Sequence, residues 1–116
     1  AIDEFPEHPE IRKQRGIALL TVGNFRAALV FFEMTPQHPL NEGARILCHI
    51  AVGQATQLSD PDKEQLISTA FMEWFRRLLE RGQNESANRL VENIDALETV
   101  LPTAANVLRE TVSVEN

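Results

Sequence analysis

The sequence contains a single cysteine, Cys48, and that scarcity removes two chemistries at once. No intrachain disulfide can form, and no paired-cysteine metal site can be built. Cys48 stands in an apolar run, where a thiol is expected to be buried and inert. No stretch reaches the roughly eighteen consecutive apolar residues of a membrane span, so no membrane insertion is expected. The first residues include Asp3 and Glu4 where a secretion signal would carry basic side chains, which points to the cytoplasm. Basic residues are also scarce, 11 against 17 acidic. The resulting charge of −6 argues against nucleic acid as a partner, since phosphate binding starts from a basic patch. There is no glycine-rich phosphate loop, and Ser59, Ser68, Ser86 and Ser113 lack the turn context of a nucleophile.

What the chain does have is one domain's worth of length, 116 residues, of which 43% are hydrophobic, enough for a core. It also repeats itself. Phe5–Pro9 reads FPEHP and Thr35–Pro39 reads TPQHP. In the same register Pro6 falls on Pro36, His8 on His38, Pro9 on Pro39, Arg15 on Arg45, Val22 on Val52 and Gly23 on Gly53. Identities held in one register over a period near thirty are the mark of stacked helical hairpins.

Apolar spacing agrees. Ile11, Ala18 and Val22, with Ile17 and Leu20 beside them, follow the helical spacing of three and four, as do Phe25, Ala28, Leu29 and Phe32. Pro9 suits a first helical turn, and Gly23-Asn24 allows the left-handed backbone that ends a helix. Gly16 and Ala28 let the two backbones approach, with Phe25 and Phe32 filling the flanks. A fainter third copy places Gly82 where Gly23 stood and Ala87 on Ala28. Its leading helix carries Phe71, Trp74, Phe75, Leu78 and Leu79; its trailing helix carries Ala87, Leu90, Val91, Ile94 and Leu97. The middle copy has a clear leading helix over 41–52. Beyond it, 54–63 is expected either as a short distorted helix or as a continuation of its predecessor to about Leu58. Asp60 is expected as an N-cap with Pro61 opening the next helix. The expected organisation is one all-α domain over 1–116. Its stacked antiparallel hairpin units span about 10–35, 40–60 and 62–100, with a capping helix at about 102–113.

The stretch Gly16–Glu33, GIALLTVGNFRAALVFFE, resembles a tetratricopeptide repeat. Gly16, Leu19, Gly23, Phe25, Ala28, Phe32 and Thr35 stand at that family's pattern positions. Arg12 and Arg15 depart from it, standing where the family usually has bulky apolar residues. The resemblance implies two helices per unit, a right-handed superhelix and a concave groove that binds a helix or extended peptide of a partner protein. The groove-lining places are then Lys13, Ile17, Leu20, Leu47 and Ile50. The size and acidity also resemble the small tetratricopeptide-like chaperones of bacterial type III secretion. Read without the resemblance, Ile17, Leu20, Leu47 and Ile50 serve equally well to pack a closed bundle.

Two further surfaces compete for a role. Phe71, Trp74 and Phe75, with Leu78 and Leu79, cover more arc than one neighbouring helix needs. With Arg76 and Arg77 they form an alternative interface, for a partner or for a second copy of the chain. Arg76, Arg77 and Arg81 are either ordinary surface charge or a basic rim that steers an acidic partner. The histidines at 8, 38 and 49 have no metal-ligand spacing, and the carboxylates are spread among helices as solvated charge. No metal, cofactor or catalytic residue is expected. A protein-binding module or chaperone without chemistry of its own is the leading expectation. A self-associating structural protein comes second and a small helical enzyme a distant third.

Overall fold

The computed structural model describes residues 9–33, 39–54, 56–58 and 60–115. Residues 5–8 and 35–38 of the two proline–histidine echoes lie outside that set, as do the side chains of Arg12 and Lys13. The described residues form seven α-helices and no strand: α1 Pro9–Thr21, α2 Phe25–Phe32, α3 Pro39–Ala51, α4 Glu64–Glu80, α5 Asn84–Glu92, α6 Ile94–Val100 and α7 Pro102–Glu115. The all-helical expectation therefore holds.

Three helices end in the same way. Gly23, Gly53 and Gly82 all have positive φ, between 75° and 84°. At each, the glycine amide donates to the carbonyl three residues back, and the next amide to the carbonyl five back. Gly23 reaches Leu20 and Asn24 reaches Leu19, and the same pair of bonds recurs at Gly53-Gln54 and Gly82-Gln83. This pair of bonds satisfies carbonyls that a helix end otherwise leaves without donor partners. A side chain at Gly23 would be strained by its φ and would stand 3.1 Å from both Gln83 Oε1 and Ser86 Oγ. The turn after α1 thus rests against the turn after α4.

Packing follows chain order through α4. The helix α1 lies on α2, α2 on α3 and α3 on α4; α7 then packs on both α4 and α6. The least dimension of the molecule is 20 Å, about two helix diameters. Gly16 meets Phe31 and Phe32 as the α1–α2 crossing requires. The α3–α4 crossing is tighter: a Cβ on Gly43 would stand 2.8 Å from Ala70 Cβ and 2.9 Å from the Phe71 amide nitrogen. Sandwiched in this way, α3 is buried on nearly all sides. Ile46, Leu47 and Ile50 have no exposed surface, each worth about 1.5–3 kcal/mol of burial.

Two stretches differ from the sequence expectation. The middle unit has no trailing helix among its described residues. Helix α3 stops at Ala51, and residues 54, 56–58 and 60 have no regular structure before a single 3₁₀ turn, Pro61–Lys63. Arg45 holds this strap. Its Nε donates to Glu42 Oε1 at 2.7 Å, its Nη1 to Thr56 Oγ1 at 2.8 Å and its Nη2 to the Gln57 carbonyl at 3.0 Å. Asp60 caps the turn as expected, accepting the Asp62 amide at 3.0 Å with Pro61 first in the turn. The second difference is a break at Asn93, which divides the expected single trailing helix into α5 and α6. Asn93 Nδ2 donates to the Ile50 carbonyl at 2.8 Å.

Candidate interaction groove

The residues expected to line a concave groove are mostly interior. Leu20, Leu47 and Ile50 are fully buried, because α2, α4 and α5 close over the faces of α1 and α3 that carry them. Ile17 alone of the described set reaches a surface notch, of about 270 Å³, which it shares with Thr21, Arg77, Glu80 and Arg81. The Lys13 side chain lies outside the described residues.

The alternative interface divides similarly. Phe71, Trp74 and Phe75 are buried. The Trp74 indole donates to the Leu40 carbonyl at 2.9 Å, tying α4 to the first turn of α3. Its ring meets Phe32 at 6.4 Å between centroids, tilted by 57°. The Arg77 guanidinium covers the other approach, 4.6 Å from the ring centroid, a cation–π contact. Arg76 is exposed and pairs with Glu73 on its own helix. Glu73 and Glu80 interleave with Arg76, Arg77 and Arg81, so α4 carries mixed charge here rather than a continuous basic rim.

An open apolar surface lies between α4 and α7, in a groove of about 450 Å³, and a shallower one on α1 is lined by Ile11, Gln14, Arg15 and Ala18. Met72, Phe75 and Leu79 come from α4, and Ala104 and Val107 from α7, with Thr69, Thr103 and Thr111 around them. Leu79 and Val107 are each about 40% exposed, 41% and 40%, which is high for side chains of this kind facing a cleft. Sequence reasoning missed Met72 and Val107 as site residues. The available signal was the breadth of the apolar arc on α4, since Thr69, Met72, Arg76 and Leu79 follow a stripe of three and four beside the buried one.

The wall formed by α7 is placed by a carboxylate from another helix. Glu64, the first residue of α4, accepts the Thr103 amide at 2.9 Å through Oε2 and the Thr103 hydroxyl at 2.7 Å through Oε1. Ser68 Oγ donates to Glu64 Oε2 at 2.8 Å and accepts the Ala104 amide at 3.1 Å. First-turn amides have no acceptor within their own helix, so Glu64 and Ser68 cap α7 from outside. Burial raises the Glu64 carboxyl, but the bonds from Thr103 and Ser68 outweigh it and hold the group below its ordinary value. Arg109 fastens α7 on its other side, pairing with Glu98 and, at 3.5 Å, with Asp95 of α6.

His49 and Cys48 have structural roles, while the buried Asn41 Oδ1 has no hydrogen-bond partner among the described residues. His49 joins the end of α2 to the strap, with Nδ1 3.1 Å from Gln54 Oε1 and Nε2 3.4 Å from Glu33 Oε1. Burial pushes the Cys48 thiol up to about 12, far from the thiolate that a nucleophile or metal ligand needs. Among the described residues no group of three His, Cys, Asp or Glu is placed to hold a metal ion, and no helix is long and apolar enough to cross a membrane. No known protein family, no curated protein and no solved structure matches this chain.

Proposed function

We propose that this chain is a tetratricopeptide-like helical interaction module that holds a helical or extended segment of another protein and performs no chemistry of its own. A chaperone dedicated to one such partner is the narrower form of the same reading. The observation that carries it is the α4–α7 groove: apolar, open, and rimmed by exposed Leu79 and Val107. An all-helical surface offers no strand edge among the described residues, so a helix laid in a groove is the recognition mode that suits it. The repeated helix ends at Gly23, Gly53 and Gly82 support the repeat reading. Ser68 and Thr103 are the hydroxyls at the closed end of the groove. Both are committed to Glu64 and the α7 amides, which favours binding over catalysis.

The test compares Val107→Asp, in the groove, with Val22→Asp, on exposed surface at the end of α1. Co-purified partner and light-scattering mass are scored for each at two salt concentrations. Loss of a stoichiometric partner in Val107→Asp alone supports the reading. A strictly monomeric chain that retains no partner in either variant sinks it. A concentration-dependent dimer abolished by Val107→Asp would support self-association instead, which the same exposed apolar rim would serve.

A further inference from the structure

We infer that the α6–α7 hairpin is a hinged wall of this groove, turning about Asn93 and latched to α4 by the Glu64 carboxylate, so that neutralising Glu64 opens the wall before the core unfolds. The inference rests on the groove being the binding site and concerns how access to it is controlled.

Three observations carry it. First, the hairpin is tied within itself. Helix α6 packs on α7, Leu97, Val100, Leu101 and Leu108 are buried, and Arg109 links α7 to Glu98 and Asp95 of α6. Second, the buried side chains in the described part of α7 are Ala104, Ala105 and Leu108, of which only Leu108 is large, set against the aromatic and branched set that locks α4 to α3. The apolar hold of α7 thus centres on Leu108, and the polar tie fixes its first turn to α4. Third, that tie converges on one group. Glu64 accepts Thr103 twice and positions Ser68 for Ala104, across 39 and 36 residues of chain. Asn93, at the other end of the hairpin, is the break between α5 and α6 and is itself anchored to Ile50.

Among the described residues no cation pairs with this carboxylate. Thr103 comes from α7, while Thr99 of α6 and Thr56 and Gln57 of the strap line the notch beside it. Asp60, Asp62 and Lys63 precede it on the 3₁₀ turn and its cap. The charge is thus supported by hydroxyls and by the amide end of α7, where a negative group is favoured. Because the folded carboxyl is held below the unfolded value near 4.5, the latch is complete above that value and is lost as pH falls through the lower, folded one. The Arg109 pairs to Asp95 and Glu98 join α7 to α6, not the hairpin to α4.

Amide exchange resolved by residue, expressed as protection factors from pH 7 to 3.5, tests the latch. In the unaltered chain, amides of Thr103–Leu108 should lose protection at higher pH than those of Ile46–Ile50. Glu64→Gln should lower α7 protection at least tenfold at pH 7 and flatten its pH dependence, whereas Glu98→Gln should keep the unaltered chain's dependence. Simultaneous loss in α7 and α3, or normal α7 protection in Glu64→Gln, would overturn the inference. Should Glu64→Gln not fold, the unaltered chain's pH series and Thr103→Val decide the matter alone. Fluorescence of the probe 8-anilinonaphthalene-1-sulfonate at pH 7 reports the groove separately. Equal binding by Val107→Asp would overturn the groove reading and leave the latch standing.

Discussion

The side-chain amide of Asn93 donates to the backbone carbonyl of Ile50 at 2.8 Å, and the same carbonyl accepts the Gly53 amide at 3.1 Å. The end of α3 is thereby closed by the break between α5 and α6, at the place where a trailing helix of the middle unit would have begun. This hydrogen bond ties the break between α5 and α6 to the last turn of α3.

Asn93→Ala removes that donor while leaving the Gly53 bond. Stability should fall by about 1–2 kcal/mol, read as a lower urea midpoint with unchanged slope. An unchanged midpoint would mean that the bend is held by packing alone.

Gly43 and Gly53 should respond to alanine for different reasons. At Gly43 the new methyl meets Ala70 and the Phe71 backbone, and overpacking of this kind costs about 1–3 kcal/mol. Gly43→Ala should regain part of that when combined with Ala70→Gly. At Gly53 the space is open and φ is +79°, so the cost is only that of the left-handed backbone, about 1–2 kcal/mol. No second-site change at position 70 should rescue it.

Arg45 is the pin of the strap. Arg45→Ala removes a nearly buried ion-pair partner of Glu42 and both bonds to 56–57. Stability should drop by about 2–3 kcal/mol, and limited proteolysis should cut first within 54–60. Cleavage elsewhere at the same rate as in the unaltered chain would show that other contacts hold the strap.

Cys48 should be silent toward a thiol reagent in the native chain at pH 8 and react fully in denaturant, because burial holds its thiol near 12. Fast labelling of the folded protein would contradict the packing of α3.

Local features were the legible ones. The left-handed glycine turns and the Asp60 cap follow from hydrogen bonds spanning a few residues, and they stand where spacing and residue type put them. The fate of the middle unit was not legible. Nothing in residues 54–60 states that Arg45 will take up their polar groups, because the partners are eleven and twelve residues apart.

Burial was decided at longer range still. Apolar periodicity identified Leu20, Leu47, Ile50, Phe71 and Trp74 as belonging to helix faces, but periodicity is the same for a face in the core and a face awaiting a partner. The packing of α4 on α3, of α7 on α4, and of Glu64 on Thr103 settled which faces are covered. What the chain determined by itself was the all-helical class and the glycine-marked helix ends, since those depend on neighbouring residues, whereas the break at Asn93 rests on a distant carbonyl. Only the tertiary structure could leave Leu79 and Val107 exposed while burying Phe71, Trp74 and Leu108 on the same two helices, because exposure depends on what other helices place above a residue.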